Sequence, residues 1–262
     1  KTSLEDISVT GTITGSYTEF IDETNIYNYS GDTIQITGRN ISITEAENLT
    51  ASSVTATVEG SIGDLLGFNV GSNTYTLVAN DSSASVSQLT NASSAGINIA
   101  SVTSISGSIS DLSTYPTAGI TSVDITDIGS VDASSILGIK TRYSSDPTIN
   151  NVTIITGSVD NIDSIYTSIS NQNISPDVVT ISVADANKLN GYTNGTVTAT
   201  ISENDVTTLL SLSGTNTYSI TINDTTISET NLSSIAGKTH ETVVATDMTS
   251  ITGSISDVST VL

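Results

Sequence analysis

The sequence predicts a mainly β fold: a single parallel solenoid of about eleven coils, each of about 24 residues. The first observation is a recurring motif, in which an apolar residue precedes a polar turn and an acid or amide. Its clearest copies begin at Ile13, Val58, Ile105, Ile155 and Ile251. The second observation is a shortage of aromatic residues, which make up 4% of the chain and include no Trp. An interior of Ile, Val, Leu and Ala suits the thin layers of a solenoid.

Each coil is predicted to open with a strand, because short runs of β-branched residues alternate with polar ones. Examples are ISVTGTIT from Ile7, TIQIT from Thr33, VTATV from Val54, YTLVA from Tyr75 and INIASVTSIS from Ile97. Each coil closes on an apolar residue that we call its anchor. The anchors are Phe20, Leu49, Leu65, Leu89, Leu112, Ile136, Ile162, Leu189, Leu209, Leu232 and Val258. With the five motif residues above, they are expected to form the interior columns.

A helical turn is predicted between strand and anchor, on the side of the coil opposite the sheet. A Ser stands three residues before an acid or amide, as in a capping box, where the hydroxyl caps the helix and the acid reaches back to the cap's own amide. The pairs are Ser16 with Glu19, Ser61 with Asp64, Ser108 with Asp111, Ser254 with Asp257, and more weakly Ser158 with Asn161. We expect helices of one to two turns, giving an LRR-like or β-solenoid coil.

Corners are predicted after each helix, where Gly, Asn and Pro cluster. All three prolines, Pro116, Pro147 and Pro176, are expected in these corners, where a missing amide costs no ladder hydrogen bond. In the position just before the anchor, no two acids follow one another from coil to coil. A parallel stack with strands about 4.8 Å apart favours such separation of like charges.

A longer period is superimposed on the coils. ISITEAENL from Ile41 resembles ISVADANKL from Ile181, and NTYTLVAND from Asn73 resembles NTYSITIND from Asn216, at an offset of about 140 to 146 residues. Six coils therefore form one superrepeat, the first over about residues 7–146 and the second over about 147–262. We predict one continuous solenoid over residues 1–262, a rod roughly 50 Å long at about 4.8 Å per coil.

The net charge of −21 argues against binding to nucleic acid or to anionic membranes. The chain has no cysteine and no apolar stretch long enough for a membrane helix, so membrane insertion is not expected. An acidic surface rich in Ser, Thr and Asn predicts an extracellular or cell-surface protein.

No enzyme is predicted, and no residue is assigned as catalytic or cofactor-binding. The single histidine, His240, begins a strand, where a polar residue is usually just exposed. Solenoid lyases and hydrolases need basic residues or clustered carboxylates in a cleft. The only basic residues are Lys1, Arg39, Lys140, Arg142, Lys188 and Lys238. Lys140 and Arg142 are expected in a longer loop of an irregular coil.

Calcium is the one cofactor that the acidic composition allows, although its ligands are left unknown because no calcium-binding nonapeptide or DxDxDG loop is present. Isolated acids such as Asp124 with Asp127 and Asp160 with Asp163 are predicted to be solvated corner residues. Thr alternation at Val54 and Val197 suggests an ice-binding face, but the pair returns only at every sixth coil. The β-propensity of Thr explains it better.

The stretch ADANKLNGYTNGTVTATI from Ala184, followed by NTYSITINDTTISETNL and MTSITGSISDV, resembles the repeat regions of very large bacterial cell-surface and secreted adhesin-like proteins, notably from marine and cyanobacterial genomes. The resemblance covers most of the chain. It implies an extracellular structural or adhesive role and supplies no catalytic residues.

The predicted function is therefore that of an extracellular structural protein, forming a rod, filament or surface-layer segment by end-to-end stacking. Neither end resembles a capping unit: a strand begins at Ile7, and Val261 and Leu262 follow a standard motif directly. We expect head-to-tail self-association through the terminal coils. The alternative is an adhesion module that binds glycan or calcium through one face. Tyrosines aligned in one strand column would favour sugar, but they are scattered and mostly assigned to corners: Tyr17, Tyr27, Tyr29, Tyr75, Tyr115, Tyr143, Tyr166, Tyr192 and Tyr218.

Overall fold

A computed structural model of the chain describes residues 11–21, 31–169 and 173–254. Within these ranges the chain alternates between strand and helix, and every described strand pairing with a register is parallel. Helix accounts for 32% and strand for 30% of the residues. The fold is therefore α/β with parallel strands, which agrees with the parallel, strand-rich chain that was predicted. Helix is as abundant as strand because the helices are longer than the capping pattern suggested.

The described strands are Thr12–Gly15 (β1), Thr33–Ile36 (β2), Ile41–Ser42 (β3), Ser53–Gly60 (β4), Thr74–Ala79 (β5), Ser83–Ser85 (β6), Ser104–Gly107 (β7), Ser122–Ile125 (β8), Gly129–Asp132 (β9), Val152–Thr156 (β10), Ser175–Ile181 (β11), Thr198–Ile201 (β12), Thr217–Ser219 (β13), Thr226–Ser228 (β14) and Ser250–Thr252 (β15). The described helices are Tyr17–Ile21 (α1), Ile43–Glu47 (α2), Ile62–Gly67 (α3), Val86–Ser94 (α4), Ile109–Thr114 (α5), Ala133–Tyr143 (α6), Val159–Ser168 (α7), Val183–Tyr192 (α8), Val206–Leu209 (α9) and Glu229–Ala236 (α10). We number each repeat after the helix that it contains, and the repeat that follows α10 is repeat 11.

The chain divides into two compact units. Unit 1 contains residues 1–107 and 115–123, and unit 2 contains residues 108–114 and 124–262. In unit 1, β1, β2, β4 and β5 pair in that order, and β3 also pairs with β4. In unit 2, the order β9-β10-β11-β12-β13 follows the chain, and β14 pairs with β15. Strands that are neighbours in sequence are thus mostly neighbours in the sheet.

The core of most described repeats consists of strand residues and anchors, as predicted. Buried anchors are Leu65, Leu89, Leu112, Ile136, Ile162, Leu189, Leu209 and Leu232. Val58, Ile105 and Ile155 are buried as well, whereas Ile13 and Ile251 are partly exposed. Phe20 and Leu49 are also partly exposed, and Val258 lies outside the described residues. In repeat 2 the anchor assignment is wrong, because Ala46 is the buried residue four positions after the cap Ser42.

Odd and even repeats enter their helices differently. In repeats 1, 3, 5 and 7 the cap lies three residues after the inward-facing strand residue and follows a glycine, as at Val58 and Ser61. Repeat 9 differs, because its cap Asp205 follows Asn204 and lies four residues after buried Ile201. In even repeats the cap follows the buried residue directly, as at Ile41 and Ser42. The two buried residues are nonetheless direct partners in the sheet, as in the pair Ile41 and Val58. In three further places the residue before an even cap pairs with the strand residue three positions before the Ser of the following odd repeat. These pairs are Ala84 with Ile105, Val131 with Ile155, and Ile227 with Ile251.

Two of the predicted local structures differ from the observed ones. The run from Ile97 is not one strand, because Val102 N–H donates to the Ile99 carbonyl at 3.1 Å and forms a turn before β7. The Asn98 side chain accepts the Ala100 amide at 3.0 Å and fixes this turn. Pro176 lies in β11 rather than in a corner, as the second residue of the strand.

The segment with Lys140 and Arg142 is a helix, not a longer loop. Ile136, Ile139 and Tyr143 are buried at spacings of three and four residues, which is the pattern of a helix face. The helix α6 has 11 residues and is followed by the C-cap Ser144, whose φ of 53° is left-handed. Helices α4, α7, α8 and α10 also exceed the one to two turns expected.

Candidate functional site

The most specific feature of the described chain is a set of buried polar contacts between neighbouring repeats. The clearest is centred on Asn216, which is only 2% exposed. Its Oδ1 accepts the Val197 amide of the preceding repeat at 2.9 Å, and its Nδ2 donates to Asn190 Oδ1 at 2.9 Å and to the Tyr218 hydroxyl at 3.0 Å. Because both ends of the amide are bonded, its burial carries little desolvation cost.

The same network continues into the next repeat. Thr239 is 8% exposed, and its hydroxyl bonds both the backbone N–H of Tyr218, at 3.0 Å, and the Tyr218 carbonyl, at 2.6 Å. Burial raises the pKa of Tyr218 to about 12, so its hydroxyl stays protonated and neutral. Asn190 of repeat 8, Asn216 of repeat 10 and Thr239 of repeat 11 thereby belong to one network in unit 2, which also bonds the Val197 amide of repeat 9.

A second kind of contact joins the start of one helix to the next repeat. The first amide of α3, at Ile62, donates to Asp81 Oδ2 at 2.6 Å. Ile109 of α5 donates to Asp127 at 2.7 Å, and Val206 of α9 donates to Asp224 at 2.8 Å. Each aspartate lies in the corner of an even repeat and serves the helix of the odd repeat before it. A carboxylate at this position also complements the partial positive charge of a helix start.

These contacts recur in the two units with the same residue types. Asn73 accepts the Val54 amide at 2.7 Å in unit 1, and Asn216 serves Val197 in the same way 143 residues later. Asp81 and Asp224 are likewise 143 residues apart. The two Asn residues begin the similar NTYT and NTYS stretches of the sequence, where no role was predicted for them. A polar residue at the start of an otherwise apolar strand was the signal that could have revealed it.

The helix caps have the predicted spacing, but the side chain three residues after the cap bonds to one of two different groups of the cap residue. Glu45 and Gln88 bond the backbone N–H of their caps, at 2.8 and 2.9 Å, in complete capping boxes that the sequence analysis missed. Glu19 does the same at Ser16, at 2.6 Å. Asp64 and Asp111 instead accept the cap hydroxyl, at 2.6 and 2.8 Å, because a side chain shorter by one methylene falls short of the amide.

The corrected caps also change the column of residues before the anchors. With Glu45 in repeat 2, acids occupy this position in three successive repeats, as Glu19, Glu45 and Asp64. The expectation that no two acids are adjacent is therefore wrong. The charge is offset locally, since each carboxylate accepts a bond at its own cap and Arg39 binds both oxygens of Glu45, at 2.9 and 2.5 Å.

The acids considered for calcium have other partners. Asp127 caps α5, and Asp163 of α7 lies 2.9 Å from Lys188 of α8, an ion pair that lowers the pKa of Asp163. These two are not merely solvated corner residues, as had been predicted. Asp124 lies in β8, and Asp160 in the first turn of α7. Among residues 11–21, 31–169 and 173–254, no three His or acidic side chains are grouped as metal ligands would be.

The remaining candidate residues do not converge. His240 is exposed, and its backbone N–H donates to the Asn216 carbonyl at 2.8 Å. Lys140 pairs with Asp146 at 2.5 Å. A cleft of about 430 Å³ on the outer face of β11 to β13 is lined by Asp177, Val179 and Glu241, together with Thr198, Thr200, Thr217, Ser219 and Thr242.

The tyrosines occupy helices and strands rather than corners. Tyr17 and Tyr143 are buried in α1 and α6, and Tyr218 is buried in β13. Tyr166 and Tyr192 belong to α7 and α8 and stack with ring centroids 5.7 Å apart. Tyr75 lies in β5 beside Ala56 of β4, and only Tyr115, of those described, follows a helix in a corner; Tyr27 and Tyr29 lie outside the described residues. The prediction that most tyrosines sit in corners is wrong.

Comparisons with protein-family models, with curated proteins and with solved structures find no significant match. In the part of the chain that the structure describes, none of the helices has the length and apolar character needed to cross a membrane.

Proposed function

We propose that this chain is an extracellular structural repeat protein, whose strand-helix repeats stack as one solenoid and extend from copy to copy into a rod or surface-layer segment. The observation that carries the proposal is the recurrence of the polar contacts at Val54 with Asn73 and at Val197 with Asn216. Repeats 143 residues apart offer the same donors and acceptors to their neighbours. A repeat of a second copy therefore finds a matching partner where the odd-even order continues across the contact.

Repetition of such a contact gives a heterologous, open assembly rather than a closed ring. The extracellular location rests on the acidic, cysteine-free composition, with 27 acids against 6 bases. The same charge makes copies repel one another, so we expect association to depend on ionic strength.

The test is multi-angle light scattering and negative-stain electron microscopy of the 262-residue chain. At about 0.5 M NaCl, where the Debye length falls to about 4 Å, we expect rods whose mass is a multiple of 26.9 kDa. At about 0.01 M NaCl we expect shorter rods or monomers. A 26.9 kDa monomer at every salt and protein concentration would contradict the proposal.

A further inference from the structure

The outer face of the unit 1 sheet carries an ordered array of hydroxyl groups. Side chains alternate between the two faces of a strand, so the neighbours of buried Ile34, Val54 and Val58 point outward. The register aligns these outward residues in three rows across four strands of four successive repeats. The rows are Thr12, Thr33 and Ser53; Thr14, Gln35, Thr55 and Thr74; and Thr57 and Thr76. We call these nine residues the hydroxyl face.

This array is denser than the sequence pattern suggested. An ice-binding face was disfavoured because the VTATV pattern returns only at every sixth coil. The register shows that the rows are continued by residues outside that pattern, such as Thr12, Thr33 and Thr74. In repeats 1 to 4 the rows are therefore interrupted only at Gln35, in the middle row.

The hydroxyl face is neutral, although the chain has a net charge of −21. None of its nine residues is charged or aromatic, and the first acid on this face is Glu59, beyond the third row. Within the described residues, no side-chain hydrogen bond within the protein is made by the Thr and Ser hydroxyls of this face. Their hydrogen-bonding capacity is directed outward.

The face is also stiff and regular. Threonine is restricted at χ1, and the strands beneath are fixed by buried residues such as Ile34, at 1% exposure, and Val58, at 0%. Neighbouring strands lie about 4.8 Å apart, and outward residues along one strand are about 6.6 Å apart. These two spacings are close to the oxygen repeats on a prism face of ice.

We propose that the hydroxyl face binds ice. The hydroxyls would hydrogen-bond to lattice water, while the threonine methyls would hold ordered water between them. This function is separate from stacking, because it uses the face of the sheet and not its edge.

Other occupants fit the face less well. A charged ligand would find no counter-charge, and a sugar would find no aromatic ring to stack on. A second copy would bury only roughly 350 Å² on this face, from four strands at the spacings above, against about 800 Å² per partner in a stable interface.

The test is ice-affinity partitioning of the full chain, in which a slowly growing ice surface takes up bound protein, together with inhibition of ice recrystallisation. We expect enrichment in the ice, and an approximately tenfold loss of enrichment in Thr55→Tyr, whose ring would stand out from the middle row. Thr74→Tyr, at an exposed position of the same row, provides a second variant. Thr44→Tyr, on an exposed position of α2, is the matched control and should behave as wild type.

Circular dichroism confirms that each variant is folded before partitioning is compared. The proposal is overturned if the wild-type chain is excluded from ice, or if folded Thr55→Tyr and Thr74→Tyr partition like wild type. It is equally overturned if these variants instead abolish a dimer of the wild-type chain, or its adsorption to crystalline polysaccharide, while ice partitioning is unchanged. Rod formation in light scattering reads out stacking independently of these results.

Discussion

At the scale of the residue, side-chain length determines how each helix start is closed. Glu19 and Glu45 span the distance to the cap amide, whereas Asp64 and Asp111 stop at the cap hydroxyl. The Ser-x-x-acid spacing could be predicted from the sequence, because the first helical turn imposes it. The atom that the acid reaches could not, since one methylene decides between two partners that are close together.

Glu45 accepts hydrogen bonds from Arg39 and from the cap amide of Ser42, and its contribution to stability therefore depends on pH. Two hydrogen bonds from Arg39, followed by one from the Ser42 amide, lower the pKa of Glu45 to about 2. A depressed carboxyl pKa stabilises the folded state at pH values above the unfolded pKa. That stability is lost as the pH falls through the folded pKa.

We therefore predict that Glu45→Gln lowers the free energy of unfolding by about 1 kcal/mol at pH 7, a value reduced for solvent exposure of the pair. The difference from wild type should shrink as the pH falls from about 5 to about 2. Urea denaturation at several pH values measures both quantities. Glu47→Gln, an exposed residue at the end of α2, is the control. A difference that stays constant with pH would show that the Glu45 charge is unimportant.

At the scale of the element, the five clearest sequence copies of the motif all belong to odd repeats. Their Gly-Ser pair is conspicuous, and it led to the correct caps at Ser61, Ser108 and Ser158. Even repeats have no glycine before the cap, so Ser42 was missed and Leu49 was taken as the anchor in place of Ala46. The strand positions and most anchors could be predicted because burial imposes a periodic pattern.

The corner aspartates of even repeats could not be assigned from the sequence, because their partner amides lie about 18 residues earlier and no local spacing joins them. The length of α6 was missed for a different reason. Its buried Ile139 and Tyr143 lie beyond the anchor Ile136, where the repeat pattern predicted a loop.

We predict that Asp224→Ala lowers the free energy of unfolding by about 1 to 2 kcal/mol, because the Val206 amide loses its partner from the next repeat. Asp224→Asn keeps an oxygen acceptor and should lose less. Chemical denaturation gives the stability, and hydrogen exchange at Val206 reports the bond itself. Asp247→Ala, at an exposed position, is the matched control and should be neutral. Unchanged exchange at Val206 in Asp224→Ala would contradict this assignment.

At the scale of the whole molecule, the two units use one set of contacts twice. Asn73 and Asp81 in unit 1 correspond to Asn216 and Asp224 in unit 2, so the superrepeat found in the sequence extends to individual hydrogen bonds. The period itself could be predicted from the sequence because segments of several residues, such as NTYT and NTYS, recur at this spacing. The hydrogen bonds that recur with this period are visible only in the structure, where these Asn and Asp side chains accept amides of the preceding repeat.

Odd and even repeats begin their helices at different positions after the inward-facing strand residue. The shortest segment that can be removed or duplicated without disturbing the odd-even order is therefore a pair of repeats. Removing residues 43–61 joins the Ser42 cap to α3 and places two even repeats side by side, out of phase by two residues at their helix entries. Removing residues 43–85 joins the same cap to α4 and keeps the odd-even order. We expect the longer deletion to fold with a cooperative thermal transition and the shorter one to lose it, as followed by circular dichroism. Growth or shortening of such a chain by gene duplication would then proceed in steps of two repeats, and a change of one would be selected against.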